Sequence, residues 1–171
     1  HTERLDSTSL RGYLAVLGVT AAKAEGDGLA PDDLDELAAA YATVFLGVTP
    51  EAVAPVESVY LGADGNLKDG PYFDVTDLYH RHGFTEPEGF LEPSDHLAVE
   101  LSFLAHLIDR AANDPSGGAE LYQAALEFRD RHLARWVPRF QVDADRVTNN
   151  AFYLAVVGVA AVVAAAKVEQ S

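Results

Sequence analysis

The stretch Glu92-Pro93-Ser94-Asp95-His96-Leu97-Ala98-Val99-Glu100-Leu101-Ser102-Phe103-Leu104-Ala105-His106-Leu107-Ile108 decides the fold. Leu97, Leu101, Leu104 and Ile108 recur at i, i+4, i+7 and i+11. His96, Glu100, Phe103 and Leu107 repeat that spacing one residue earlier. Apolar residues at this period share one helix face, so two adjacent stripes predict a helix buried over a wide arc. Ser94 or Asp95 is the expected N-cap, and the helix is expected to reach about Asn113.

Outward from this helix the chain reads as further helices separated by Gly, Pro and Asp. A first is expected from about Ser7 to Lys23, with Leu10, Leu14, Leu17 and Ala21 on one face. Pro31 opens a second, whose early acids Asp32, Asp33, Asp35 and Glu36 suit a helix N-terminus and which Gly47 stops. A short helix is expected around Phe73 to His82, ending at Gly83. Phe84 to Pro93 has no helical period. After Asp114-Pro115-Ser116-Gly117-Gly118, a helix carries Leu121, Ala125, Phe128, His132 and Trp136 on one side and is expected to stop near Pro138. A last helix is expected from Asp143 or Thr148 to about Glu169. Its uncharged run Ala151–Ala166 is shorter than the roughly 18–20 residues a membrane span needs, so it reads as a core helix. No strand alternation persists. The expected fold is an all-α, single-domain globule of about six to seven helices.

Composition narrows the function. The 171 residues carry a net charge of −15, with nine Arg and only three Lys. Such acidity argues against nucleic acid and anionic membrane surfaces as partners. It also resembles the salt-adapted surface of a halophile protein, where screening makes self-repulsion tolerable. With no Cys, disulfides, Cys-ligated zinc, Fe–S clusters and a Cys nucleophile are excluded. No Met is present either; His1 reads as a tag remnant and the first few residues as tag-derived or disordered.

The densest polar cluster is Glu92, Asp95, His96 and Glu100. Asp95, His96 and Glu100, with His106 further along the same helix, suggest a helical metal-dependent enzyme as one reading. The chain lacks HExxH and ExxH patterns, and one helix cannot close a metal site alone. The plainer reading is an acid favourable to the helix dipole beside an i,i+4 His–Glu pair. There is no phosphate-binding Gly loop and no G-x-S-x-G elbow. Ser102 and His106 lack identifiable oxyanion donors.

As a string the cluster is more specific. Glu92-Pro93-Ser94-Asp95-His96-Leu97-Ala98-Val99-Glu100-Leu101-Ser102-Phe103-Leu104 resembles the E-P-x-D-H-L-x-x-E-L-x-F-[LM] signature of the TorD/DmsD/NarJ family of molybdoenzyme chaperones. Phe128-x-x-x-His132-Leu133-x-x-Trp136-x-Pro138-x-Phe140 is similar to the family's downstream helix, and Pro55-x-x-Ser58-Val59-Tyr60 to its upstream turn. Tyr79-x-x-x-Gly83-Phe84 also fits. Val56 departs from the aromatic residue that many members place after the proline.

The resemblance implies an all-helical cytoplasmic protein with no catalysis and no cofactor. It implies binding of the twin-arginine signal peptide and apo catalytic subunit of a molybdopterin oxidoreductase, of the DMSO, TMAO or nitrate reductase class. The chaperone would assist cofactor insertion and delay export until folding is complete. A monomer or a helix-swapped dimer is implied, without stable membrane insertion. Under this reading Glu92, Asp95 and Glu100 are candidates for charge contact with the Arg pair. Pro93, Leu97, Phe103, Trp136 and Tyr60 are candidates for the wall that takes the apolar segment, and Pro55 and His132 belong to the matching motifs. His96 is expected to hold Asp95 or to confer pH sensitivity. Asp95→Ala is expected to weaken peptide binding and leave thermal stability nearly intact.

Overall fold

In the computed structural model, residues 31–47, 49–63, 67–86 and 88–166 are described. They form seven helices: α1 (Pro31–Phe45), α2 (Glu57–Leu61), α3 (Gly70–Arg81), α4 (Leu97–Asn113), α5 (Gly118–Arg131), α6 (Leu133–Val147) and α7 (Ala151–Ala165). Among the described residues there is no strand, only an isolated antiparallel bridge between Val56 and His96. The all-α reading therefore holds. The helix expected over Ser7 to Lys23 lies outside the described residues.

The chain divides into two compact units, Pro55–Trp136 and the remainder on either side of it. The unit Pro55–Trp136 is built on α4, whose stripe His96, Glu100, Phe103 and Leu107 is buried throughout. Of the stripe Leu97, Leu101, Leu104 and Ile108, only Leu97 and Leu104 are buried and Ile108 is exposed, so the buried arc is narrower than the two stripes predicted. Tyr79 of α3 meets Phe103 with ring centroids 4.7 Å apart, and Phe128 of α5 meets the same ring at 4.8 Å. The four-residue turn between α4 and α5 is tied by Asp114, whose carboxylate accepts from the backbone N–H of Ser116 and Gly117 at 2.9 Å each. Those two bonds hold its pKa below the usual carboxylate value. Gly118 has no substitute in this turn, because a Cβ there would lie 2.4 Å from the Ala111 carbonyl.

The other unit holds α1, most of α6 and α7. Phe45 packs on Phe140 and Tyr153 at 6.0 and 5.6 Å, and the Tyr153 hydroxyl donates to the Leu37 carbonyl at 2.9 Å. α7 is apolar around its whole circumference, and Ala155, Val157, Ala160, Ala161 and Ala164 are its most buried residues. No helix among the described residues is long and apolar enough to cross a membrane.

Three boundaries differ from expectation, each for a tertiary reason or a nearer cap. The N-cap of α4 is His96, not Ser94 or Asp95, and its Nδ1 accepts the Ala98 N–H at 3.1 Å. The helix expected to run through to Pro138 breaks at His132 instead. It restarts at Leu133 and carries Pro138 inside α6. That proline forfeits one backbone bond, in a segment that buries Trp136, Val137 and Phe140. The last helix starts at Ala151, where the Asn150 side chain accepts from Phe152 and Tyr153 N–H, rather than at Asp143 or Thr148.

Candidate functional site

The three motifs of the central region meet in one place. The Pro55–Tyr60 turn runs against Ser94–Leu97: Leu97 N–H donates to the Pro55 carbonyl at 2.8 Å, and Glu57 N–H donates to the Asp95 carbonyl at 2.9 Å. The Asp95 carboxylate accepts the Ser58 N–H at 2.8 Å through Oδ2. That bond satisfies a donor at the start of α2, a helix start with no side-chain cap of its own. It also explains why Asp95 does not cap α4. Tyr79 donates its hydroxyl to the Ser94 carbonyl at 2.9 Å, which anchors the loop from below. Burial, and secondarily the Glu100 charge, pushes that phenol well above its usual pKa.

A second layer lies beneath. The His132 ring donates from Nδ1 to Glu57 Oε2 at 2.9 Å, with the two side chains 8% and 1% exposed. His132 makes this bond from the break between α5 and α6, where it is the C-cap of α5. The Trp136 indole N–H donates to Glu100 Oε2 at 3.1 Å, and Tyr60 stacks on the indole at 5.5 Å. Glu100 is fully buried, and its pKa is raised well above the carboxylate norm. Burial is the main cause, followed by the charge of Glu57 and a hydrogen bond with it. The Trp136 N–H opposes the shift and Asp95 adds to it. Glu100 Oε1 has no partner as a bare carboxylate. Protonated, it can donate to Glu57, which gives the otherwise orphaned oxygen a partner and adds to the shift that burial causes. Asp95 Oδ1 is likewise buried without a partner.

The motif residues thus separate by depth. Pro55, Asp95, His96, Leu97, Glu100, Phe103, His132 and Trp136 are buried, whereas Glu92 is exposed and Pro93 and Tyr60 are half-buried. An Asp95 side chain with no exposure and a buried backbone partner makes the expectation of an undisturbed stability in Asp95→Ala untenable. His96 accepts a backbone N–H through Nδ1, so it stays neutral to do so. Burial lowers its pKa, partly opposed by Glu92 and Asp95. The metal reading fails on geometry. Asp95, His96 and Glu100 are each engaged with a different donor, and among the described residues no three His, Asp or Glu side chains are placed to hold an ion.

Sequence reasoning assigned no role to three residues that stand out in this region. Glu57 is an unspecified position of the Pro55-x-x-Ser58-Val59-Tyr60 turn, and Tyr79 enters only through Tyr79-x-x-x-Gly83-Phe84, with no role assigned to either. Their buried polar partners lie 15 to 75 residues away in the chain. The third is Leu91, beside the signature, which is 94% exposed. An apolar side chain so fully in water between an aromatic residue and an acid stands out only once the burial of its neighbours is known.

A family model described as nitrate reductase delta subunit matches residues 6–141, which includes the whole Pro55–Trp136 unit. The chain belongs to the TorD/NarJ family. Among curated relatives, the chaperone protein TorD of Photobacterium profundum is 35% identical over 122 residues, 70% of this chain and 56% of that protein. TorD of Vibrio atlanticus is 32% identical over 124 residues, 71% and 57% of the two chains. TorD of Vibrio parahaemolyticus is 31% identical over 173 residues, 90% and 77%. The chain thus spans little more than half the length of the first two relatives. No solved structure matches it significantly.

Proposed function

We propose that this family member is a non-enzymatic, cytoplasmic maturation chaperone. It binds the twin-arginine signal peptide and apo catalytic subunit of a molybdopterin oxidoreductase, of the DMSO, TMAO or nitrate reductase class. It assists cofactor insertion and delays export until the client has folded. The observation that carries this reading is the contrast across one loop. Phe90-Leu91-Glu92-Pro93 offers water an apolar residue and an acid, while the residues just after it, Ser94 to Leu97, are buried and hydrogen-bonded to α2 and Tyr79. A short exposed loop held on a rigid polar frame is a preorganised recognition element.

In this arrangement Leu91, Pro93 and Tyr60 receive the apolar segment of the signal, and Glu92 meets the Arg pair. Pro55, Asp95, His96, Leu97, Glu100, Phe103, His132 and Trp136 set the loop's shape from beneath. The net charge of −15 steers a basic peptide inward at low ionic strength, and on a salt-adapted surface apolar contact carries most of the affinity. The chaperone works as a monomer or a helix-swapped dimer.

The test is fluorescence anisotropy with a labelled twin-arginine signal peptide. Leu91→Ser and Glu92→Ala together are expected to weaken binding about tenfold, the effect of ~1.4 kcal/mol, with an unchanged melting temperature, because both side chains are exposed. Unaltered affinity in the double variant rejects the loop as the contact.

A further inference from the structure

The polar layer beneath the Pro55–Tyr60 turn closes into a ring of contacts. Glu57 and Tyr60, three residues apart on α2, each meet a side chain from the α5–α6 break. Glu57 accepts the His132 Nδ1–H at 2.9 Å, and Tyr60 stacks on Trp136 at 5.5 Å with 29° between the planes. Glu100 of α4 joins the two halves. It accepts the Trp136 indole N–H at 3.1 Å and lies within hydrogen-bond reach of Glu57.

Charge and donors decide what this ring needs. Glu57, Asp95 and Glu100 are all buried. Their donors are the His132 ring, the Ser58 N–H and the Trp136 N–H, one to each acid, and one oxygen of Asp95 and one of Glu100 stay unpartnered. Among the described residues no Arg or Lys pairs with any of the three. The titratable groups facing them from other elements are the Tyr79 phenol of α3, which burial keeps protonated, and His132 at the end of α5. His96, next to Asp95, spends its Nδ1 on the Ala98 N–H. Three buried carboxylates against one imidazole leave uncompensated negative charge. A proton between Glu57 and Glu100 removes one charge and supplies a missing donor at once.

Without that proton the two carboxylates repel, and the more weakly held element yields. Glu100 belongs to the seventeen-residue α4, which packs through Phe103 on rings of α3 and α5. Glu57 opens the five-residue α2, which has no side-chain cap of its own. The half-buried Tyr60 rides on that short helix. We propose that Glu57 is a positioning residue for Tyr60: through a proton shared with Glu100 it holds α2 against Trp136, so the signal-binding surface at Tyr60 is assembled with the proton and released without it. This rests on the reading that Tyr60 receives the apolar segment of the signal. The proton is kept at low pH, so Tyr60 is held there, and peptide affinity falls as pH rises through the ionisation of Glu100. One proton permits a fall of at most about tenfold per pH unit.

Trp136 is the only tryptophan of the chain, so its fluorescence reports on the ring directly. The first experiment follows the full chain without peptide from about pH 5 to about pH 9. Acrylamide quenching of Trp136 should rise roughly twofold or more with pH, because the buried indole becomes accessible when Tyr60 leaves it. Glu100→Gln and Glu57→Gln should each abolish that rise, since either amide supplies the donor permanently, and circular dichroism shows whether each variant is folded. The second experiment measures a labelled twin-arginine signal peptide by anisotropy over the same range. Its affinity should fall in step with the quenching in the parent chain and lose its pH dependence in both variants. A parent chain without a quenching transition overturns the proposal. So does a transition that survives in either folded variant, or an affinity that stays level while the quenching changes. A peptide that binds at no pH, with the transition present and abolished by the variants, leaves Glu57 as the residue that positions Tyr60 and counts against the signal reading alone.

Discussion

Replacing Glu100 by Gln is expected to stabilise the protein at neutral pH, an unusual outcome for a buried residue of a family signature. The reason lies in the two oxygens. Oε2 accepts the Trp136 indole N–H, whereas Oε1 has no donor and faces the Glu57 carboxylate unless it carries a proton. Gln keeps an oxygen for the indole and offers an N–H to Glu57 permanently. The wild-type side chain makes that second bond only when protonated, and its raised pKa sets the direction of the pH dependence. Glu100 holds its proton more tightly folded than unfolded. Its contribution is therefore fully present below the ordinary carboxylate pKa and is lost as pH rises through its own raised value.

The advantage of Gln should accordingly be close to zero at pH 4.5 and grow toward pH 7. One charge-assisted hydrogen bond, discounted for strain and for residual sharing of the proton, puts it at about 1 kcal/mol. For a chain of this size that is a rise in melting temperature of about 2–4 °C. Glu100→Leu is the control, since it leaves the Trp136 N–H buried without an acceptor and should cost about 1–3 kcal/mol at every pH. The assay is urea unfolding followed by Trp136 fluorescence, in steps from pH 4.5 to 8. A loss of 2 kcal/mol or more in Glu100→Gln at pH 7, with no dependence on pH, would refute the shared proton and mean that Glu100 is ionised and compensated.

Three further outcomes follow from the same geometry. Asp95→Ala removes the acceptor of the buried Ser58 N–H and should cost about 1–3 kcal/mol in urea unfolding, whereas Asp95→Asn, which keeps an oxygen there, should cost less. His96 caps α4 through an unprotonated nitrogen and has a lowered pKa, so its contribution is present above its ordinary value of 6.5 and lost as pH falls below it. His96→Asn should keep about the same stability at pH 7.5 and abolish that acid step in thermal melts. If apolar contact dominates recognition, affinity for a twin-arginine peptide should change little between low and molar salt; a steep fall, read by anisotropy, would assign the affinity to charge instead.

Residue pattern alone determined the helical class, one of the two buried stripes predicted on α4 and the motifs that meet around it. These are properties of spacing along one helix or of short strings, and local periodicity records them faithfully. The resemblance to a family, rather than periodicity, grouped Asp95, His96, Glu100, His132 and Trp136, but it did not say what each does. Tertiary structure alone decided that. Asp95 pairs with a backbone N–H 37 residues away, His132 with a carboxylate 75 residues away, and Trp136 with one 36 residues away. The first two coincide with a displaced local choice, a helix cap at Asp95 and an unbroken helix at His132, and the buried partner prevails because an unsatisfied charge in the interior costs more than a helix boundary moved by a residue or two. The same accounting explains why the outward Leu91 was invisible beforehand. Exposure depends on what else is buried, and that is settled only when the helices have packed.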